Sequence, residues 1–490
     1  MKQTVLLLLV LACVMLLGFA AQPRGQAPSA SQPPAQAPEA LTGFDNQSNG
    51  FADADRRTAD QKFFEEVEQI APDGLGPLYN AQSCRECHQT PVSGAASQVM
   101  EVRVGHLSHG HFQNPAIPID DGKEVITGRT LVNDRAICPQ IQEHVPATEN
   151  IRTTRLATNL LGDGYVEAIS DKTLLKIRSD QCRASHGKIC GQAIYVPVPP
   201  SEGADRIGRF GWKDQHASLL FFAGDAYLNE MGITNNLEPD EVTTVCNPPV
   251  TTANPNNDPT KVTEPNSLPS ASDNNLEDID HFASFMRSLK APARDDIIAA
   301  TAQAKHGQEL FTKIGCANCH VETIVTGKSP AAPGGLGLHL DAVENRTIHP
   351  YSDFLLHNVG TGDGITVAFV EHYSKRRMAK LFGEPDAATA EQQKKAAINE
   401  AECSISFQDE VMEGKKPANL ARDMECARNK IRTAPLWGLR LRSRLMHDGV
   451  TLTIVDAIHR HKGEAEEVEE RFSRLKSADQ QAVLAFLQSL

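Results

Sequence analysis

Two copies of one short pattern carry the chemistry that this chain can be expected to perform. Cys84–His88 reads C-R-E-C-H, and Cys316–His320 reads C-A-N-C-H. The C-x-x-C-H spacing is typical of covalent attachment of a c-type haem, in which two thiols bond to the porphyrin and the histidine binds the iron. Haem supplies redox chemistry, so the two motifs predict a protein that moves electrons or activates an oxidant. The predicted attachment residues are Cys84, Cys87, His88, Cys316, Cys319 and His320.

Two other chemistries also use a C-x-x-C pair. A zinc ribbon needs its two pairs close together, whereas these pairs lie in opposite halves of the chain. A thioredoxin-like pair does not require a histidine directly after its second cysteine. Both features favour haem attachment, with His88 and His320 as the proximal iron ligands.

The N-terminus predicts export to the periplasm. A basic start at Lys2 is followed by an apolar run from Thr4 to Leu17 and by small residues at Gly18–Ala21. This pattern indicates a signal peptide over residues 1–21, because a membrane-spanning helix needs about 20 apolar residues and different flanks. No later stretch approaches that length, so no stable membrane insertion is expected. Covalent haem attachment takes place in the bacterial periplasm, which agrees with export.

The remaining cysteines suggest disulfide bonds. Of the eleven cysteines, Cys13 leaves with the signal peptide and four bind haem, so six are left. An even number in an oxidising compartment favours disulfides. The shortest closures are Cys182–Cys190 and Cys403–Cys426, which leaves Cys138–Cys246, although spacing does not determine connectivity.

The composition excludes one large class of partner. The formal net charge is -14, and charged residues make up 22% of the chain without forming a basic stripe. Nucleic-acid binding proteins carry clustered positive charge, so no nucleic-acid partner is expected. The length favours two to three domains.

Apolar periodicity predicts the helices that position the motifs. Residues 22–40 are rich in Pro, Ala, Gln and Ser and predict a disordered tether, with folded sequence from about Leu41. Beyond it, apolar residues on one helical face precede each motif. These positions are Phe63, Phe64, Val67 and Ile70 before the first motif, and Gly307, Leu310, Phe311 and Ile314 before the second.

A closing helix is predicted at the end of each half of the chain. Phe285–Leu289 reads F-M-R-S-L, and Phe486–Leu490 reads F-L-Q-S-L. A helix before the haem motif that packs on a closing helix is the core of a class I cytochrome c domain. We therefore predict a mainly α protein with two such domains, residues 41–295 and 296–490, the first enlarged by insertions with some β and loop structure.

A distal iron ligand is predicted for the second haem. Ile454, Ala457, Ile458 and His461 lie at i, i+3, i+4 and i+7, which places His461 on the buried stripe of its helix. A histidine on an apolar face can also be an ordinary hydrogen-bonded core residue. We predict that His461 binds the second iron and that His447 lies nearby.

The same region carries a resemblance to a known family. R-T-x-P from Arg432, H-D-G from His447 and A-I-x-x-H ending at His461 follow two C-x-x-C-H motifs. This order resembles the bacterial di-haem cytochrome c peroxidase and MauG superfamily. Four further stretches resemble the di-haem oxidoreductase family within it, and the resemblance spans nearly all of residues 42–490. The stretches are Gly74–Cys84, Gly164–Ile169, Gly208–Lys213 and Met231–Thr234.

The resemblance implies a departure at the second haem. Where the related peroxidases carry a methionine ligand, and MauG a tyrosine, this chain has His461. Two histidine ligands would lower the reduction potential relative to His/Met ligation. Arg432 is expected to pair with a haem propionate, because the guanidinium fork matches a carboxylate.

At the first haem, the resemblance implies an acid–base carboxylate. Peroxidases of this superfamily place a glutamate over the N-terminal haem, and the resemblance makes Glu167 the corresponding residue. Glu167 is expected to move a proton between the peroxide oxygens. The alternative is a solvated glutamate at a helix start. His106, His109 and His111 are weaker candidates for a resting distal ligand.

Two further features follow from the same family. Trp212 is a candidate for an electron path between the haems, although Trp212 and Trp437 can equally be core or pocket wall. Related peroxidases bind calcium between their domains, so a calcium ion is left open, but no EF-hand-like run of ligands occurs. Relatives also form dimers, which leaves a homodimer open by analogy.

The resemblance implies a periplasmic di-haem oxidoreductase of the peroxidase kind. It would take electrons through the C-terminal haem and reduce the oxidant at the N-terminal haem. Electrons would come from a small donor, a cytochrome c or cupredoxin, and the oxidant would be hydrogen peroxide, oxygen or another small molecule. Two alternatives remain: an electron-transfer cytochrome without a substrate, and a MauG-like oxidase of an organic or protein substrate. What separates them is whether the distal face of the first haem is open.

Overall fold

In the computed structural model, the described residues are 37–199, 205–246, 267, 269, 275–328, 339–366 and 420–490. The predicted signal peptide, most of the predicted tether and Cys403 lie outside them. The described residues begin at Ala37, slightly before the predicted start of folded sequence at Leu41. The backbone of Thr347 donates to Pro38 O and accepts from Ala40 N, at 2.8 and 2.9 Å, so the end of the tether extends a strand edge.

Twelve helices occur in the described part of the chain. They are α1 (Ala54–Glu65), α2 (Cys84–Cys87), α3 (Asp163–Glu167), α4 (Asp171–Ala184), α5 (Leu219–Met231), α6 (Asp278–Arg287), α7 (Asp296–Ala300), α8 (Ala302–Ile314), α9 (Leu420–Cys426), α10 (Ile454–His459), α11 (Glu466–Ser473) and α12 (Ser477–Leu487). Short 3₁₀ turns include Cys316–Asn318, which carries the second motif, and Gly463–Ala465.

Most of the β structure lies in the first half. The strands are β1 (Leu78–Tyr79), β2 (Met100–Ser108), β3 (His111–Gln113), β4 (Ile117–Ile119), β5 (Glu124–Ile126), β6 (Leu131–Val132), β7 (Arg135–Ala136), β8 (Ile151–Leu156), β9 (Tyr195–Pro197), β10 (Asp205–Ile207), β11 (Ile324–Val325), β12 (Thr347–Ile348), β13 (Leu356–His357) and β14 (Ile431–Arg432). The long β2 pairs antiparallel with β3, β6 and β8, and the remaining strands form two-stranded ribbons. Helices with added sheet in the first half agree with the coarser part of the predicted fold class, while the two cytochrome c domains stay a prediction.

The helix before the second motif packs closely on the last helix. The predicted face of α8 is buried, and Phe311 and Phe486 meet with ring centroids 5.1 Å apart. A Cβ atom at Gly307 would lie 1.9 Å from Ala482 O, so only glycine lets α8 and α12 approach this closely. This pair forms the support on which the second motif rests.

The helix before the first motif is shorter than predicted. α1 packs on α6, where the rings of Phe64 and Phe285 meet at a tilt of 32° with centroids 4.5 Å apart. It ends at Glu65, however, and the next residue, Glu66, is already extended with a ψ of 137°. Val67 and Ile70 are therefore exposed, and their predicted place on the helix face is wrong.

The described cysteines are either disulfide-bonded or part of the two motifs, as the sequence predicted. Disulfide bonds join Cys138 to Cys246 and Cys182 to Cys190. Cys426 is also disulfide-bonded, while its predicted partner Cys403 lies outside the described residues. The free cysteines of the described chain are the four motif cysteines Cys84, Cys87, Cys316 and Cys319. None of the described helices combines the length and apolar character needed to cross a membrane.

Candidate functional site

The second motif begins where α8 ends. Gly315 adopts a positive φ of 104°, a conformation that favours glycine, and turns the chain into the Cys316–Asn318 turn. The Nδ1 atom of His320 lies 3.0 Å from Tyr351 O, to which it donates. Burial lowers the pKa of His320 to about 4, so its imidazole is neutral. The Nε2 atom is then the unprotonated nitrogen, as an iron ligand requires.

The ring of His461 lies opposite the ring of His320. Its Nδ1 atom donates to Ala457 O at 2.8 Å, which also leaves Nε2 unprotonated. The two ring centroids are 6.5 Å apart. An iron atom bound to two imidazole nitrogens at about 2 Å each would hold the centroids about 6 Å apart. The pair therefore fits a metal held between two histidines. The helix α10 ends at His459, so His461 lies two residues beyond it rather than on it.

A cavity of about 230 Å³ surrounds this histidine pair. Its wall is mostly apolar and includes Phe311, Leu439 and Ile458 beside Cys316 and Cys319. An apolar cleft with a few convergent polar groups is the usual form of a cofactor site. The free thiols, the paired imidazoles and the apolar wall together fit a haem attached at Cys316 and Cys319.

Arg442 is a cavity residue that sequence reasoning missed. It donates to the carbonyls of Pro435 and Trp437, and none of the ion pairs among the described residues involves it. Burial and the nearby Arg432 guanidinium lower its pKa to about 10. A cation without a carboxylate partner suits an anionic haem propionate. The only signal was the run of arginines from Arg440 to Arg444, which does not show which of them faces inward.

Arg432 lines the cavity but has acidic neighbours. Its Nε atom donates to Gly211 O at 2.6 Å and lies 3.7 Å from Asp214 Oδ1. Burial lowers the pKa of Arg432, against the opposing effect of Asp214 and Asp163. Its predicted pairing with a propionate therefore competes with carboxylates of the chain itself, and Arg442 is the freer of the two cations.

Trp212 lies in the wall that the two halves of the chain share. Its Nε1 donates to Leu156 O at 2.6 Å, its ring meets that of His447 edge-on at 6.1 Å, and the Arg432 guanidinium lies 6.0 Å from its ring centroid. It lines the same cavity as His320 and His461. Trp437, by contrast, packs in the core against Gly162.

The first motif has a different environment. Ser83 caps the short helix α2 that carries Cys84 and Cys87, and burial lowers the pKa of His88 to about 4. The backbone near Thr158 and Ala95 opposes this lowering. In the described part of the chain, the ring in contact with His88 is that of Phe64, at 6.4 Å, and no second imidazole faces it. This arrangement fits a proximal ligand without a distal histidine.

Glu167 is held in a buried ion pair. Its Oε2 accepts from Arg287 Nε at 2.6 Å, and its Oε1 accepts from Arg287 Nη2 at 2.9 Å and from the backbone of Leu219 at 2.8 Å. Burial alone would raise the pKa of Glu167, but the Arg287 guanidinium lowers it. Glu167 does not line the described cavity. These contacts favour a structural role over the predicted acid–base role.

The other predicted ligands lie elsewhere. His106, His109 and His111 belong to the β2–β3 hairpin, where His106 pairs with Glu149 at 2.8 Å. Among the described residues, one group of side chains has the spacing of metal ligands, and it consists of Cys319, Asp353 and His357. It contains a single carboxylate and a motif cysteine, so it does not support the calcium prediction.

The two motifs and the cavity at the second one fit a redox protein that holds haem. A family model described as "Di-haem oxidoreductase, putative peroxidase" matches residues 140–384 and 406–490. The match covers more than half of the chain, and this protein belongs to that family. Membership makes it an oxidoreductase of the peroxidase kind and implies two haem cofactors.

Solved structures of low similarity were also found, and no curated protein matches the chain. Hydrazine synthase of Kuenenia stuttgartiensis is 15% identical, with 96% of this chain and 100% of that chain covered and a TM-score of 0.35. A MauG-like protein associated with microbial copper homeostasis is 14% identical, with 95% of each chain covered and a TM-score of 0.34. The di-haem peroxidase BthA of Burkholderia thailandensis is 13% identical, with coverages of 93% and 94% and a TM-score of 0.36. Such scores carry no functional inference.

Proposed function

We propose that this protein is a periplasmic di-haem c-type oxidoreductase that reduces hydrogen peroxide, or activates another small oxidant, at its N-terminal haem. Electrons would enter through the C-terminal haem from a small donor such as a cytochrome c or cupredoxin. The observation that carries the proposal is the contrast between the two sites. His461 faces His320 at 6.5 Å, whereas no imidazole of the described chain faces His88.

The contrast assigns different tasks to the two sites. An iron held by two histidines has no vacant position, so the C-terminal site is suited to electron transfer. Substrate chemistry needs an accessible iron position, and we assign it to the N-terminal site because no second imidazole of the described chain faces His88. When bound, the haems supply one-electron redox chemistry, and the reduction of one peroxide to two waters consumes two electrons and two protons.

The residues between the sites are proposed to form the electron path. Trp212 comes from the first half and lies in the wall of the cavity that contains His320 and His461. Its indole N–H donates to Leu156 O, and a backbone carbonyl cannot take up the proton. Trp212 would therefore keep its proton while electrons pass. With the proposed domain division at residues 295 and 296, Trp212 belongs to the domain of the first haem and lines the cavity at the second motif.

Two double variants test the division of labour. Cys84→Ala/Cys87→Ala and Cys316→Ala/Cys319→Ala should each lose one covalently bound haem by intact mass. Peroxide-dependent oxidation of a reduced cytochrome c is then measured. The first variant should lose turnover while its remaining haem still accepts electrons from the donor. The second variant should lose electron uptake from the donor.

The outcomes also separate the alternatives. Peroxide turnover that survives loss of the first haem would contradict the proposal. Electron uptake by both haems without peroxide turnover in the parent protein would indicate an electron-transfer cytochrome. Consumption of peroxide only together with oxidation of an added organic or protein substrate would indicate a MauG-like oxidase.

A further inference from the structure

A buried histidine beside the second motif has carboxylates at both of its ring nitrogens. His357 is 1% exposed, its Nε2 lies 2.8 Å from Asp353 Oδ2, and its Nδ1 lies 2.9 Å from Glu464 Oε2. A neutral imidazole has a single N–H, so it can donate to one of these oxygens only. Two carboxylate acceptors at the two nitrogens therefore require the imidazolium form. His357 is a fixed positive charge inside the fold.

The two carboxylates are themselves held in place. Asp353 accepts from Gln181 Nε2 at 2.8 Å and from the backbone of Leu355 at 3.0 Å. Glu464 accepts from the backbone of Asn358 at 2.9 Å. The triad Asp353–His357–Glu464 is thus a preorganised charge cluster.

The cluster touches the second haem-attachment residue. His357 Nδ1 lies 3.8 Å from Cys319 Sγ, and His357 lines the cavity that contains His320 and His461. The approach depends on Gly191, since a Cβ atom there would lie 2.8 Å from His357 Nε2. Gln181 also donates to Asn318 O, within the motif, at 3.0 Å. The first half of the chain therefore holds both the motif and its neighbouring charge.

We propose that His357, clamped between Asp353 and Glu464, is a positioning residue that fixes the Cys319 edge of the second haem. By neutralising one of the two carboxylate charges, it keeps the reduction potential of this haem higher than the two carboxylates alone would. A positive charge near a haem favours the reduced form, which carries one positive charge less, and net charge is one of the determinants of haem potential. Two histidine ligands lower the potential of this site. The imidazolium offsets part of that effect and keeps the site able to accept electrons. This inference rests on haem attachment at Cys316 and Cys319, as proposed above.

The test uses variants whose charge effects have opposite signs. His357→Gln removes the positive charge and should shift the potential of the second haem downward. Glu464→Gln removes a negative charge and should shift it upward. The titration is run at about pH 5, below the ordinary pKa of histidine, so that the ring paired with Asp353 stays protonated. Glu467→Gln is the matched control, because Glu467 is an exposed residue of α11 that pairs with Lys188. Both haem potentials are measured by redox titration of the full-length, haem-loaded proteins.

The expected result is a pair of opposite shifts confined to the second haem, each larger than the shift of the control. Shifts in the same direction, or no shift beyond the control, would overturn the proposal. If His357→Gln fails to fold, Glu464→Gln decides alone, and the absence of an upward shift overturns it. Intact mass separates this failure from failure of the proposed function, because a parent protein without covalent haem would contradict the latter.

Discussion

The buried pair of Glu167 and Arg287 gives a prediction that distinguishes structure from catalysis. The two side chains are 3% and 8% exposed, and three hydrogen bonds hold the Glu167 carboxylate. Glu167→Gln keeps the shape but leaves the Arg287 charge with only the more distant Asp280 in opposition. Removing one partner of a buried ion pair costs about 3–5 kcal/mol. We expect a loss of that size in the free energy of unfolding.

The assay is urea unfolding of the haem-loaded protein, with Arg287→Gln and the double variant completing a cycle. Because the double variant removes both charges, its loss should be smaller than the sum of the two single losses. Peroxide turnover per folded molecule should change less than tenfold in Glu167→Gln. An unchanged unfolding midpoint together with a loss of turnover of about 10²–10⁴ would refute this reasoning, since general acid–base catalysis typically contributes that much.

Three further predictions concern ligation, electron transfer and pH. His461→Met should raise the potential of the second haem in a redox titration, because methionine ligation favours the reduced form; an unchanged potential would argue against ligation. Trp212→Phe should slow electron transfer between the haems by roughly tenfold, about 1.4 kcal/mol in barrier, in stopped-flow traces, whereas Trp437→Phe should lower only stability. Burial and Asp278 raise the pKa of Glu68 from 4.5 to about 8, so the folded state keeps a proton that the unfolded chain releases. The free energy of unfolding should therefore fall by about 3–5 kcal/mol as pH rises from about 4.5 to 8, and Glu68→Gln should remove that slope.

Local patterns predicted well which residues come together around the second motif. Gly307, Phe311 and Ile314 are buried where α8 meets α12, because a 3.6-residue period states directly which side of a helix faces the core. The same period brought out His461, which lies opposite His320 although the helix itself ends two residues earlier. The disulfides Cys138–Cys246 and Cys182–Cys190 also match the predicted pairs.

Ion pairs between residues far apart in the chain could not be predicted from the sequence. Glu167 meets Arg287 from a distant part of the chain, and nothing local marks the two as partners. The charge at His357 depends likewise on Glu464, which arrives from the turn after α10. Arg442 could not be told apart from its neighbouring arginines, because the direction of each side chain depends on packing. Val67 and Ile70 mislead for a local reason, since the helix stops before them.

The central claim is that the two haems differ in ligation, the second closed by His320 and His461 and the first open opposite His88. Electron paramagnetic resonance of the oxidised, haem-loaded protein, with and without hydrogen peroxide, tests it most directly. We predict one low-spin signal typical of two histidine ligands, and one high-spin ferric signal that changes with peroxide. Two low-spin signals, neither of which responds to peroxide, would contradict the account.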